Sequence, residues 1–241
     1  MDLGINGRAA LVTGASKGIG LASAMALARE GCGVHLVSSN AEAIERAKRA
    51  VEAAFPVPLR ATALDLADSR SREQLLASAG PIDILVNNAG AIPGGGLDAV
   101  DEAAWRAAWE LKLFGYMDFA RLALPAMMAR GSGVIVNVIG AAGVAPRYDY
   151  ILGSTANAAL VAFTQAVGAQ ATTRGCAWSA SIRGRAPPSG SRRSTGAVRR
   201  RHSATPRAGA NCSMRCRSAG PPSPRRWPTW WRSSLPSALH T

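Results

Sequence analysis

Thr13-Gly14-Ala15-Ser16-Lys17-Gly18-Ile19-Gly20 follows directly on the apolar run Ala9-Ala10-Leu11-Val12. The run reads as a short buried strand, and Leu21, Met25 and Ala28 after the glycines repeat at helical spacing. Strand, glycine-rich turn and helix in that order make a phosphate site. Glycines let the backbone approach a pyrophosphate, and the free N–H groups of the new helix point at it. The spacing is G-x-x-x-G-x-G, not G-x-G-x-x-G. Such a turn can serve merely to reverse the chain, but at the head of a βαβ pattern it indicates nucleotide binding.

A chain of 241 residues suits one large α/β domain with enough core to fold without disulfides. The formal net charge of +13 suggests a nucleic-acid binder until the charges are located. All 15 acidic residues and 15 of the 28 basic ones precede residue 176, so the first part is neutral. The last 66 residues hold 13 arginines, no lysine and no acid, together with three of the four cysteines and four of the six tryptophans. Two regions are therefore expected: a globular domain over 1–175 and an Arg/Pro/Ser-rich, disordered tail over 176–241. The tail's arginines would bind phosphates non-specifically, and it carries no recognition motif, so no specific nucleic-acid partner is expected. Neither a membrane span nor a leader peptide is read in the sequence, which makes a cytoplasmic location the default expectation. Cys32 reads as a small buried residue. Cys212 and Cys216 have no histidine at ligand spacing, so no metal site is expected.

Residues 1–175 alternate strand and helix. Strands are predicted at Ala9–Thr13, Gly33–Val37, Leu59–Leu64, Ile82–Asn87 and Gly133–Ile139, and helices near 18–30, 41–54, 69–78, 101–129 and 153–172. Asp101 is the expected cap of the fourth helix, with Trp105, Trp109 and Leu113 on one face. Ala156, Leu160, Phe163 and Val167 share a face of the fifth. Continuous apolar strands joined by helices imply a parallel sheet covered on both faces, with ligand at the carboxyl ends of the strands.

Four motifs in order, Thr13–Gly20, Asp65-Leu66, Asn87-Asn88-Ala89-Gly90 and Ile135-Val136-Asn137-Val138, make residues 5–175 resemble the short-chain dehydrogenase/reductase family. The resemblance implies a Rossmann-type doubly wound sheet, here expected to be truncated after its fifth strand. It also implies a nicotinamide cofactor and hydride transfer between that cofactor and a small carbonyl or alcohol substrate. A homo-oligomer through the fourth and fifth helices is implied as well. By the family pattern the backbone around Ser16, Lys17 and Ile19 cradles the pyrophosphate, Asp65 binds the adenine amino group, and Asn88 to Gly90 line the ribose wall. The expected nucleotide-binding set is Gly14, Ser16, Lys17, Ile19, Gly20, Ser39, Asp65, Leu66, Asn88, Ala89 and Gly90. The second strand ends Val37-Ser38-Ser39-Asn40, with no acid to hold the ribose hydroxyls of NAD. Two hydroxyls and the Lys17 ammonium favour NADP, with NAD as the other choice; the alternative is that Lys17 is a solvated turn residue.

The family's chemistry uses a tyrosine as proton donor, a lysine four residues on, a serine that polarises the carbonyl and an asparagine in the fourth helix. Here these positions hold Gly153, Asn157, Gly140 and Lys112. Lysine and asparagine are exchanged between two positions that face one another in the family, so one ammonium and one amide are retained. Tyr150, three residues before Gly153, or Ser154 could supply the hydroxyl, with Lys112 the positive charge. The alternative readings make Tyr150 a loop residue and Lys112 a partner of Glu110 or Asp118, and the protein a non-catalytic dinucleotide binder.

The tail invites a reading in another frame. Taking the third base of each codon with the first two of the next, and choosing GC-rich codons, turns residues 175–184 into V-R-V-V-G-I-N-P-G. The same offset turns Arg225 to Leu235 into E-V-A-D-L-V-A-F-L-A. The first resembles the family's sixth strand and the second its last helix, so a frame change near Arg174–Cys176 is expected.

Overall fold

In the first strand, β1 (Ala9–Thr13), Ala10 and Val12 belong to one core and Leu11 to another. That two-residue period is what a strand buried on both faces requires. On one side Ala10 and Val12 meet Ala24 and Ala28 of α1 (Gly18–Arg29) and Ile44 and Val51 of α2 (Ala41–Ala54). On the other, Leu11 joins Leu75 of α3 (Ser69–Ala79). That core also takes in Phe119 and Met127 of α5 (Gly115–Ala129) and Ala171 of α6 (Ile151–Ala171). Leu11 and Leu36 are fully buried, and each such side chain contributes about 1.5–3 kcal/mol of transfer free energy.

The computed structural model describes residues 3–171 and 176–183. Besides β1, these residues form β2 (Gly33–Ser38), β3 (Leu59–Ala63), β4 (Ile84–Asn87), β5 (Gly133–Gly140) and β6 (Cys176–Arg183). The six strands are parallel in the order β3-β2-β1-β4-β5-β6. The order reverses between β1 and β4, which opens a crevice at their carboxyl ends.

The sheet does not stop at its fifth strand. β6 pairs with β5 from Gly133↔Cys176 to Gly140↔Arg183, which corrects the expected truncation. Cys176, Trp178, Ala180 and Ile182 alternate in sequence with Ala177, Ser179, Ser181 and Arg183. This is a strand pattern that the arginine-rich composition of the whole tail concealed. Cys176 is buried while Ala177 and Ser179 are exposed. The described residues lie within one compact unit, Met1–Ser189. The expected disorder beyond Arg183, with Cys212 and Cys216, lies outside the described residues.

A second correction concerns the helix expected over 101–129. It is α4 (Glu102–Trp109), a π-helical turn over Glu110–Phe114, and α5. Asp101 caps α4 by accepting from the Ala104 N–H at 2.8 Å. Trp105 and Trp109 meet edge to face, and Trp109 Nε1 donates to the Leu152 carbonyl at 3.2 Å, fixing α4 on α6. At 21 residues α6 is long and apolar enough to cross a membrane, yet Leu152, Ala156, Leu160 and Ala171 are buried in the protein's own core.

Candidate functional site

One hydroxyl ties the carboxyl ends of β1 and β4 together. Thr13 Oγ1 accepts from the N–H groups of Asn88 (2.9 Å) and Ala89 (3.0 Å) and donates to the Val86 carbonyl at 3.3 Å. The Asn88 amide donates in return to the carbonyls of Thr13 (3.0 Å) and Gly14 (3.1 Å). Against this knot the glycine turn packs too closely for side chains. A Cβ on Gly14 would lie 2.9 Å from Ala89 Cα, and one on Gly20 would lie 2.3 Å from the Gly14 carbonyl oxygen. α1 starts directly at the turn, with no side-chain cap and no acid in its first turn. Its leading N–H groups and positive dipole end are therefore available to an anion, and the turn fits a pyrophosphate.

Of the expected nucleotide-binding residues, Gly14, Gly20, Asn88 and Ala89 thus come together directly. Ser16 lies at the end of β2, where its hydroxyl accepts from Ser38 Oγ at 3.1 Å. Lys17, Ile19 and Ser39 are exposed. Asp65 is exposed and its carboxylate accepts from the Ala67 N–H at 3.0 Å, while Leu66 beside it is buried. Gly90 abuts Lys112, and a Cβ there would stand 2.7 Å from Lys112 Cδ.

A second cluster gathers at the end of β5. Lys112, on the π-turn, donates to the Val138 carbonyl at 2.9 Å and to the Tyr116 hydroxyl at 2.7 Å, and its ammonium lies 4.4 Å from the centroid of the Tyr116 ring. Burial lowers its pKa to about 8, leaving an ammonium at neutral pH that releases its proton readily. Tyr116 is buried and donates to the Val138 carbonyl at 3.1 Å; burial pushes its phenol well above the usual value. Glu110 and Asp118, the alternative partners of Lys112, are engaged by Arg72 at 2.9 and 2.7 Å instead.

Asn157 sits two residues further along β5 from the Lys112 contact. Its Oδ1 accepts from the Gly140 N–H at 2.8 Å and its Nδ2 donates to the Gly153 carbonyl at 2.7 Å. A Cβ on Gly140 would meet that Nδ2 at 2.9 Å, so the amide stands where a side chain at residue 140 would begin. Tyr150 does the same at residue 153. A Cβ on Gly153 would fall 1.9 Å from Cε1, 2.1 Å from Cζ and 2.6 Å from the hydroxyl oxygen of Tyr150. The Tyr150 backbone is pinned by a bridge to Gly95 and by accepting from the Ser154 N–H at 2.9 Å. The Ser154 hydroxyl accepts from the Arg147 N–H (2.9 Å) and donates to the Arg147 carbonyl (3.1 Å), which commits its proton to the loop. Tyr148 is turned away to Asp98 at 2.8 Å.

Sequence reasoning missed Arg72, Tyr116 and the π-turn. The arginine's partners lie 38 and 46 residues away, and nothing local marks them. Tyr116 is four residues from Lys112, a spacing that brings side chains together along a helix and could have signalled the pair.

The short chain dehydrogenase family model matches residues 8–183. The chain is 34% identical over 172 residues to 2,3-dihydro-2,3-dihydroxybenzoate dehydrogenase of Bacillus subtilis (strain 168), covering 68% of this chain and 64% of that protein. It is 38% identical over 139 residues to L-xylulose reductase of Mus musculus, covering 57% and 55%. The chain therefore spans less than two thirds of the length of these curated relatives. Among solved structures, L-sorbose reductase from Gluconobacter frateurii, complexed with NADPH and L-sorbose, superposes with a TM-score of 0.70 at 31% identity, over 75% of this chain and 70% of that one. Shared motifs, sheet order and the match over most of the chain agree: this protein belongs to the short-chain dehydrogenase family.

Proposed function

We propose that the chain binds a nicotinamide dinucleotide, NADP in preference to NAD, and exchanges a hydride with a small carbonyl or alcohol substrate. The first turn of α1 would hold the pyrophosphate, Asp65 and Leu66 the adenine, and Asn88 to Gly90 the ribose wall. Ser16 and Ser38 form a hydroxyl pair at the end of β2, where no acid stands to repel a 2′-phosphate. The bound cofactor would supply the hydride. In the reducing direction Tyr150 would give its phenolic proton to the carbonyl oxygen, and Lys112 would hold positive charge near the developing anion. Ser154, its proton committed to Arg147, would hold the Tyr150 turn. The observation that carries this reading is the Tyr150 ring lying in the space of a residue-153 side chain. Relatives support the class: L-sorbose reductase was solved with NADPH and its sugar, and a xylitol dehydrogenase, 26% identical, with NAD+.

A second reading, a dinucleotide binder without redox chemistry, is favoured by Asn157, whose amide closes the gap between Gly140 and Gly153 with two hydrogen bonds. Titrating NADPH and NADH and assaying a panel of ketoses and ketones separates the two. Turnover that falls about 10²–10⁴-fold in Tyr150→Phe, with NADPH affinity unchanged, fits the catalytic reading. Tight NADPH binding with no turnover fits the second. Preference for NADH, or unchanged NADPH affinity in Lys17→Ala, contradicts the cofactor assignment. The reading includes a homo-oligomer through α4, α5 and α6, to be checked by sedimentation; a monomer at micromolar concentration removes it.

A further inference from the structure

Arg72 belongs to none of the motifs, yet its side chain is only 2% exposed. Nε donates to Asp118 at 3.1 Å, Nη1 to the carbonyls of Leu66 (2.8 Å) and Ala67 (3.1 Å), and Nη2 to Glu110 (2.9 Å) and Asp118 (2.7 Å). These bonds use the full donor set of a guanidinium. Neutralising one buried cation needs a single carboxylate. This one joins three segments that each carry part of the site. The loop after β3 is tied to the Asp65 carboxylate through the Ala67 N–H at 3.0 Å. Glu110 opens the π-turn two residues before Lys112, and Asp118 lies on α5 two residues after Tyr116, the partner of Lys112. The segments abut at Gly115, where a Cβ would stand 3.5 Å from the Glu110 carbonyl oxygen and 3.9 Å from both Arg72 Cδ and the Leu66 carbonyl oxygen.

We propose that Arg72 is a positioning residue that couples occupancy of the adenosine half of the site to the placement of Lys112. The inference rests on the nucleotide reading above. Burial alone would lower the pKa of Arg72, but its bonds to Glu110 and Asp118 more than offset that, so the cation is permanent. A permanent buried cation follows its carbonyls: a nucleotide that shifts Leu66 and Ala67 draws Arg72, and Arg72 draws Glu110. The π-turn is the responsive element: it is the irregular turn between α4 and α5, of the kind that recurs inside helices at functional sites, and it carries both Glu110 and Lys112. The groups facing Lys112 are the Tyr116 hydroxyl from α5, the Val138 carbonyl from β5 and the backbone at Gly90. Glu110 and Asp118 face Arg72, and Asp118 also faces Arg121 at 3.3 Å. A shift of the turn therefore changes the bonds to Val138 and Tyr116 that hold the ammonium.

The chain has three lysines, Lys17, Lys48 and Lys112, so side-chain NMR of the full, lysine-labelled chain resolves each, with Lys112→Arg as the assignment control. The probe is 2′,5′-ADP, an adenosine half with no nicotinamide ribose to touch Lys112. Saturation is expected to move the Lys112 titration midpoint by about one pH unit, the size of an ordinary coupling between sites. By reciprocity, 2′,5′-ADP affinity then changes about tenfold across that midpoint. Arg72→Met strips Glu110 of its ion pair and leaves Asp118 with Arg121 alone, and so threatens folding; Glu110→Gln and the apolar pair Arg72→Met/Asp118→Leu are therefore the working variants. Both are expected to bind 2′,5′-ADP while the Lys112 response falls to less than half. Bound probe with an unmoved Lys112 in the wild type, or an equal response in wild type and both variants, overturns the coupling and leaves the nucleotide reading standing. Failure of both NADPH and 2′,5′-ADP to bind overturns that reading and the coupling with it.

Discussion

Lys112 holds its ammonium with a carbonyl and a phenol and, among the described residues, no carboxylate. Its folded pKa of about 8 lies below the ordinary 10.5, so between those values the unfolded chain binds more protons and stability rises with pH. Below pH 8 the penalty is complete. Lys112→Met is therefore expected to be more stable than wild type by roughly 1–3 kcal/mol at pH 7, with the gap closing toward pH 10.5. Urea midpoints at pH 7 and pH 10 check this, and a pH-independent gap contradicts it. The turn glycines separate in the same way. Gly20→Ala drives a methyl into the Gly14 carbonyl, which is backbone and cannot swing aside, so a loss of about 2 kcal/mol or more and of NADPH binding is expected. Gly18→Ala meets open space and suffers only its φ of +58°, so about 1–2 kcal/mol is expected. Thermal melts of the two variants give the comparison. The glycines, Asn88 and Ala89 were legible because a motif is local. The packing of Tyr150 against Gly153 and of Asn157 against Gly140 was not, since each depends on which glycine leaves room for it.

The cap of α4 was readable in sequence, because an aspartate before an apolar helical period satisfies an N–H only three residues on. Asp101→Ala is expected to remove about 1 kcal/mol and to raise amide exchange in α4 ahead of the sheet strands, as hydrogen-exchange mass spectrometry can show. Uniform exchange across α4 and β4 would refute it. The π-turn could not be read the same way. Trp105, Trp109 and Leu113 keep their four-residue spacing straight through it, and one extra residue in a turn changes no composition. The Arg72 cluster that touches this turn is tertiary throughout. β6 was lost for a different reason: an eight-residue alternation was averaged into a long arginine-rich segment.

For the whole molecule, β6 is what covers β5. A chain cut after Arg183 is expected to unfold cooperatively, whereas one cut after Gly175 leaves β5 with an open row of N–H and C=O groups and aggregates. Light scattering of the two at equal concentration decides, and equal solubility would show that β6 is dispensable. We also propose that a frame change near Arg174–Cys176 explains the composition break, and sequencing the coding DNA against relatives tests it. β6 forms from the residues present because a sheet edge asks of its next strand only a backbone and a two-residue alternation. The glycines opposite Tyr150 and Asn157 also govern how the pocket can be refilled. A serine placed at residue 140 requires the amide of Asn157 to shift, and a tyrosine placed at residue 153 requires the ring of Tyr150 to leave. Neither side chain can therefore be introduced without displacing its neighbour, so each substitution has a natural companion, at Asn157 for the one and at Tyr150 for the other.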